Sequence, residues 1–92
     1  MVTAFVLIKV KRDRIHDAPQ EILDIDGVAE VYSVAGDCDL VAVARVRENE
    51  QLAKLVTEEM IAVEGIIDTT TLIAFRQYSK HDLENMFGLG ME

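Results

Sequence analysis

The chain has 92 residues, half of them hydrophobic, and a formal net charge of -8 at pH 7. A chain of this length forms one domain, and its acidic balance disfavours nucleic acids and anionic membranes as direct partners, because they would repel it. The single cysteine excludes an intramolecular disulfide, and neither a signal-peptide pattern nor a spanning segment follows Met1, so we expect a cytoplasmic protein.

The chain begins with a pattern that predicts a strand followed by a short helix. Residues 3–10 place apolar side chains on both faces of a strand, which indicates that both faces are covered. Within residues 15–25 the apolar residues recur at helical spacing, which predicts a short helix. Because Pro19 is tolerated only in a first turn, we expect this helix to begin near His16 or Asp17.

Two further strands are predicted around a turn at Gly36. Asp26-Gly27 ends the first helix, and residues 28–35 and 40–46 are apolar runs on either side of Gly36. A glycine flanked by acids between two such runs indicates a β-hairpin. The second run is apolar on both faces, so it should be a central strand.

The second half of the chain repeats the order of helix, glycine and strand. Asn49 is a plausible cap for a second helix. Apolar residues follow at helical spacing, namely Leu52, Leu55, Val56, Met60 and Val63. Glu64-Gly65 ends this helix, and residues 66–77 predict a long last strand.

Residues 25–31 and 63–69 share one pattern: a helix end, an acid, a glycine, an aliphatic residue and another acid. The chain therefore predicts strand-helix-strand twice, which is the α+β, ferredoxin-like βαββαβ arrangement of an antiparallel four-stranded sheet with two helices on one face. Apolar residues on the second face predict an interface, and hence a dimeric α/β sandwich or barrel.

The sequence resembles the effector domain of Lrp/AsnC transcription regulators, also called the RAM (regulation of amino acid metabolism) domain. The resemblance covers residues 2–78 and depends on a combination of motifs. These are Gly27-Val28 with Glu30 and Tyr32, then Gly36-Asp37-Cys38-Asp39-Leu40, and Gly65-Ile66 leading into Thr69-Thr70-Thr71-Leu72. No helix-turn-helix precedes the first strand here, so we expect a stand-alone effector domain at residues 1–79, followed by a tail at 80–92.

The resemblance implies a ligand site near the turn, because the family holds free amino acids beside a Gly-Asp-Tyr-Asp motif between dimers of a ring of eight or ten chains. An ammonium group would need Asp37 or Asp39 as acceptor, and a carboxylate would need turn amides or threonine hydroxyls as donors. The candidate ligand-binding residues are Tyr32, Gly36, Asp37, Cys38, Asp39, Thr69, Thr70 and Thr71. The residues alone leave open that Asp-x-Asp only satisfies the hairpin and that the threonines only favour a strand.

Cys38 stands where the family usually has an aromatic residue, which leaves open both the identity of the ligand and whether effector binding is retained. The two flanking carboxylates disfavour a reactive thiolate. Adjacent strand residues point to opposite faces, which disfavours a metal site. We therefore expect no catalytic residue, no metal and no cofactor.

The tail at 80–92 contains five apolar residues, and we expect a short helix that packs on a neighbouring subunit.

The expected function is that of an amino-acid-binding, oligomerising effector domain that modulates transcription regulation of amino acid metabolism without being an enzyme. Its expected partners are a free amino acid or a related small molecule, further copies of the chain, and full-length Lrp/AsnC regulators. Two alternatives stay open: a ligand-independent assembly adaptor for such regulators, and a small dimeric enzyme of the oxygenase type. The sequence does not identify the amino acid, the ring size or the regulated genes.

Overall fold

The computed structural model describes residues 1–80, in which two strand-helix-strand units follow one another. The strands are β1 (Val2–Val10), β2 (Val28–Ser33), β3 (Leu40–Val46) and β4 (Ile66–Ile73), and the helices are α1 (Ala18–Leu23) and α2 (Asn49–Lys54). Neighbouring strands are antiparallel, and their order across the sheet is β2-β3-β1-β4. The predicted ferredoxin-like α+β fold is confirmed.

The hydrophobic core lies between one face of the sheet and the helices. The even-numbered residues of the two central strands, β1 and β3, point into it and most of them are buried, which confirms the prediction that β3 is central. Ile22 from α1 and Leu52 from α2 pack against them, together with Leu55 and Met60. The core is therefore built from aliphatic side chains at strand and helix periodicity.

The first helix is shorter than the sequence predicted. A 3₁₀ turn at Arg12–Arg14 precedes α1, which extends only from Ala18 to Leu23. Pro19 lies in the first turn, as predicted, and Asp17 occupies the N-cap position, although its side chain makes no capping hydrogen bond. Proline cannot be accommodated further inside a helix, which fixes this boundary.

The N-cap of the second helix lies one residue before the predicted one. Glu48, not Asn49, is the N-cap, because Glu48 and Gln51 form a capping box. The backbone N–H of Glu48 donates to Gln51 Oε1 at 3.1 Å. After Lys54 the chain continues as a π-helical segment, Leu55–Met60, which carries the buried stripe onward.

The repeated acid-glycine turns adopt matching backbone conformations. Gly27 and Gly65 have φ values of 99° and 95°, which L-residues with a side chain rarely adopt. At Gly65 the space is also filled, because a Cβ atom there would lie 2.7 Å from Cβ of Arg14. Arg14 Nε donates to the carbonyl oxygen of Glu64 at 3.1 Å. The hydrogen bond that the Arg14 guanidinium donates to Glu21 raises the pKa of Arg14 above its ordinary value.

The edge strands end earlier than predicted. β2 ends at Ser33, and the N–H of Val34 donates to the carbonyl of Asp39 at 3.0 Å to close the hairpin. β4 ends at Ile73, and the N–H of Ala74 makes the next hydrogen bond, to Thr3 near the start of β1, at 2.9 Å. Beyond Thr3 only Val2 remains in β1. Apart from Lys80, the predicted tail helix lies outside the described residues.

The second sheet face carries no helix within residues 1–80. Its apolar residues include Phe5, Tyr32 and Leu72, which are 40%, 50% and 51% exposed. Direct partners in the strand register place these side chains on the same side of the sheet, opposite the core. We call this surface the open face.

Candidate functional site

The connection between β2 and β3 carries the Gly-Asp-Cys-Asp motif. Gly36 has a φ of 131°, and no atom lies within 4 Å of a Cβ placed on it. The backbone conformation, and not crowding, therefore explains why this position is a glycine. Asp37, the next residue, is exposed, whereas Cys38 and Asp39 are half-buried.

The second acid of the motif is engaged in the fold. Asp39 Oδ2 accepts a hydrogen bond from the backbone N–H of Val10 at 3.1 Å, and the Asp39 N–H donates to the Ile8 carbonyl at 2.9 Å. The β1–β3 register ends at Ile8 and Leu40, so the N–H of Val10 extends beyond the last strand partner on that side. The Asp39 carboxylate thus takes the place of a strand carbonyl and accepts the hydrogen bond of a buried residue's backbone N–H.

A cavity of about 370 Å³ opens beside the Gly36 turn, on the open face. Its walls come from three elements: the turn, the end of β1 and the start of β4. The residues that line it are Leu7, Lys9, Asp37, Cys38, Asp68 and Thr70. The fold therefore brings together three of the predicted site residues: Asp37, Cys38 and Thr70.

The cavity combines one positive charge with two carboxylates. Lys9 and Asp68 are direct partners across β1 and β4. Asp68 Oδ1 accepts the N–H of Thr69 at 3.0 Å, whereas Lys9 has no ion pair within residues 1–80. Asp37 belongs to the turn. A zwitterion needs a cationic donor for its carboxylate and an acceptor for its ammonium, and this cavity supplies both.

Three other predicted site residues lie away from the cavity. Thr69 and Thr71 pair with Ile8 and Val6, whose side chains enter the core, so these two threonines are on the helix-covered side. Tyr32 is on the open face but on the opposite edge strand. Tyr32 is three strands away from Thr70, which is a distance of roughly 14 Å because neighbouring strands are about 4.8 Å apart.

Lys9 and Asp68 were not predicted as site residues. Lys9 is the only charged residue within β1, and that signal is visible in the sequence. Asp68 carries no comparable signal, because it becomes a neighbour of Lys9 only through the β1–β4 register. Leu7 carries no such signal either, because the sequence does not show which face of β1 stays open.

Two other cavities have different walls. A larger one, of about 450 Å³, is lined by Arg45, Arg47 and Lys54 together with Asp26 and Glu59, among others. Gln51, which also lines it, is engaged in the α2 capping box. A smaller groove of about 240 Å³ between α2 and β4 is almost entirely apolar. Neither includes a residue of the Gly36 turn.

Residues 1–80 contain no group of three or more His, Cys, Asp or Glu side chains placed to hold a metal ion. Within the same residues, no helix has the length and apolar character needed to cross a membrane. Cys38 is a free thiol.

Comparison with known proteins agrees with this architecture. Residues 3–83 match the sequence model described as the Lrp/AsnC ligand binding domain. An uncharacterized HTH-type transcriptional regulator of Pyrococcus furiosus is 34% identical over 76 residues, which are 79% of this chain and 51% of that protein. The chain thus spans about half the length of the curated relatives it matches.

Two solved structures extend the comparison. The protein TTHA0845 from Thermus thermophilus is 44% identical, with a TM-score of 0.81 over 87% of this chain and 100% of that one. A feast or famine regulatory protein (Rv3291c) from M. tuberculosis, complexed with L-methionine, is 28% identical, with a TM-score of 0.74. That match covers 87% of this chain and 54% of the other.

Proposed function

The chain belongs to the family of Lrp/AsnC ligand binding domains, and from this we infer that it binds a free amino acid in the cavity beside the Gly36 turn. The observation that carries the proposal is the wall of this cavity, where Lys9 faces two carboxylates, Asp37 and Asp68. The cation matches the α-carboxylate of an amino acid, and a carboxylate matches its α-ammonium.

A solved relative supports the class of ligand. The M. tuberculosis protein is complexed with L-methionine, which is a free amino acid. The curated relatives are named transcriptional regulators, which favours a regulatory role over an enzymatic one.

Asp37 is the better acceptor for the α-ammonium than Asp39. Both acids belong to the family motif, but one Asp39 oxygen already accepts the Val10 N–H. Asp37 is exposed at the cavity wall and has no hydrogen bond or ion pair within the described residues. The family motif is therefore divided between a residue that maintains the turn and a residue that contacts the ligand.

We propose further that the protein is a homodimer formed through the open face, and that dimers assemble into a ring of eight or ten chains. Exposed apolar side chains on that face support the dimer, because a contiguous apolar patch is costly to leave in water. Ligand binding near an edge of this face would then change assembly. Through assembly it would modulate full-length Lrp/AsnC regulators that control amino acid metabolism.

A role without a DNA-binding domain on the same chain is also part of the proposal. It is supported by the T. thermophilus protein, which this chain covers over its full length. The curated relatives are about twice as long as the matched segment, so the intact mass of the native protein is the direct test. A denatured polypeptide with a mass near twice that of this chain would contradict the stand-alone role.

Titration calorimetry with each common amino acid tests the binding site. We expect one class of amino acid to bind, and Asp37→Asn to weaken it roughly tenfold to a hundredfold, because a charge-assisted hydrogen bond contributes about 1.5–3 kcal/mol. The matched control is Asp13→Asn, since Asp13 is an exposed acid in the 3₁₀ turn and not in the cavity wall.

Two results would contradict the proposal. If the wild type releases heat with none of the amino acids yet still assembles, the ligand-independent adaptor is the better description. If Asp37→Asn and Asp13→Asn lose affinity equally, the site lies elsewhere. Melting temperatures of both variants, measured alongside, show whether either change affects the fold.

A further inference from the structure

We propose that this cavity selects basic amino acids, which carry a second positive charge on the side chain, over neutral ones. The inference rests on the proposed function and adds the class of ligand. It starts from the three charged side chains that line the cavity, Lys9, Asp37 and Asp68, which together carry a net charge of -1.

Lys9 and Asp68 are adjacent and yet form no ion pair within residues 1–80. They are direct partners on β1 and β4, where side chains on one face have Cβ atoms about 5 Å apart. No contact of Lys9 with any carboxylate is present in that part of the chain. Both charged groups are therefore available to a ligand, one for an anion and the other for a cation.

A neutral amino acid uses only two of the three charges. Its carboxylate pairs with Lys9 and its ammonium with Asp37, and Asp68 is then left beside a ligand that gives it no partner. A carboxylate that loses water without gaining a partner is costly. A basic amino acid brings a second cationic group to Asp68, and the ligand charge of +1 balances the cavity.

The remaining wall fits the aliphatic part of such a ligand. Leu7 and Cys38 are half-buried and line the cavity together with the charged groups. A chain of methylene groups can pack on them while its charged end extends to Asp68. The volume, about 370 Å³, lies in the range of about 300–1,000 Å³ found for small-molecule sites.

The experiment compares two ligands that differ only in the second charge. L-Lysine and L-norleucine have side chains of equal carbon length, and norleucine lacks the terminal ammonium. Calorimetry should show that lysine binds about tenfold more tightly than norleucine, which corresponds to one charge-assisted hydrogen bond. L-Glutamate should bind more weakly than either, because it adds a carboxylate to a cavity that already has two.

The variant Asp68→Asn identifies the residue that reads the second charge. It retains an Oδ1 atom for the Thr69 N–H, so the local backbone contact is preserved. We expect the preference for lysine over norleucine to be lost, because lysine loses the partner of its second charge and norleucine no longer leaves a carboxylate without a partner. Asp13→Asn again serves as the matched loss of one surface charge and should leave the preference for lysine intact.

The outcomes separate this inference from the proposed function. If norleucine binds as tightly as lysine and Asp37→Asn weakens both, the amino-acid site stands and the selectivity for basic ligands is overturned. If neither ligand nor any other amino acid binds, the proposed function fails first. A preference for lysine that persists in Asp68→Asn overturns the role of Asp68.

Discussion

The two faces of the sheet use the same strands for different purposes. On β1, Val6 and Ile8 are completely buried under the helices, whereas Phe5, which belongs to the opposite face, is 40% exposed. Strand periodicity sends alternate residues to the two sides, so a strand with apolar residues on both sides supplies one surface for the core and leaves a second surface exposed. The helix-covered face holds the hydrophobic core, and the open face is the surface through which we propose that the chain contacts its partners.

The Gly36 turn shows the same division on a smaller scale. Asp39 binds the backbone of β1 and belongs with the fold, whereas Asp37, two residues earlier, lines the cavity. The two acids of one motif thus differ: Asp39 is bound to the fold, and Asp37 is exposed at the cavity wall. Three measurements, in order of decreasing expected effect on stability, test whether this separation holds.

The largest effect is expected from truncating a side chain on the helix-covered face. Ile8 has no exposed surface and belongs to the core cluster. Ile8→Ala should lower the free energy of unfolding by about 2–5 kcal/mol, because it removes buried methyl groups and leaves a cavity. Urea denaturation at several protein concentrations measures this loss. A loss below about 1 kcal/mol would show that the face is less tightly packed than its burial indicates.

An intermediate effect is expected at Asp39. Asp39→Ala leaves the Val10 N–H without its acceptor, which should cost about 1–3 kcal/mol. Asp39→Asn retains an acceptor oxygen and should recover part of that loss. The matched control is Asp37→Ala, a substitution of an exposed acid in the same turn, which should change stability by no more than about 0.5 kcal/mol. Equal losses at the two positions would contradict the division of roles.

The fold could be predicted from the sequence because its signals are local. The apolar alternation of β1 and β3 and the repeated acid-glycine turns at Gly27 and Gly65 specify strands, helices and their order. The predictions were wrong at the ends of helices and strands, which depend on particular side-chain contacts and strand partners. Glu48 is the cap in place of Asn49 because Gln51 completes a capping box, and β4 ends at Ile73, whose partner Ala4 lies two residues from the start of β1.

The candidate site could be predicted only in part, because its residues come from distant segments of the chain. Asp37 and Cys38 were found through the turn motif, and Thr70 through a run of three threonines that the pleat divides between two faces. Lys9 and Asp68 are 59 residues apart in sequence and meet only through the β1–β4 register. A motif-based interpretation has no access to such a pair.

The smallest effect on the fold, but a large one on assembly, is expected on the open face. Phe5→Glu places a charge among Val43 and Leu72, its direct partners on the neighbouring strands, while it leaves the helix-covered core untouched. Light scattering at micromolar concentration should give an oligomer for the wild type and a smaller species for this variant, with an unchanged circular dichroism spectrum. Ile61→Glu is the matched control, because Ile61 is a 61% exposed apolar residue that follows the π-helical segment on the other side of the molecule. A wild-type monomer, or equal dissociation of both variants, would show that the exposed apolar residues of the open face do not form the interface. The proposed ligand cavity would then be the remaining explanation for the exposure of this face.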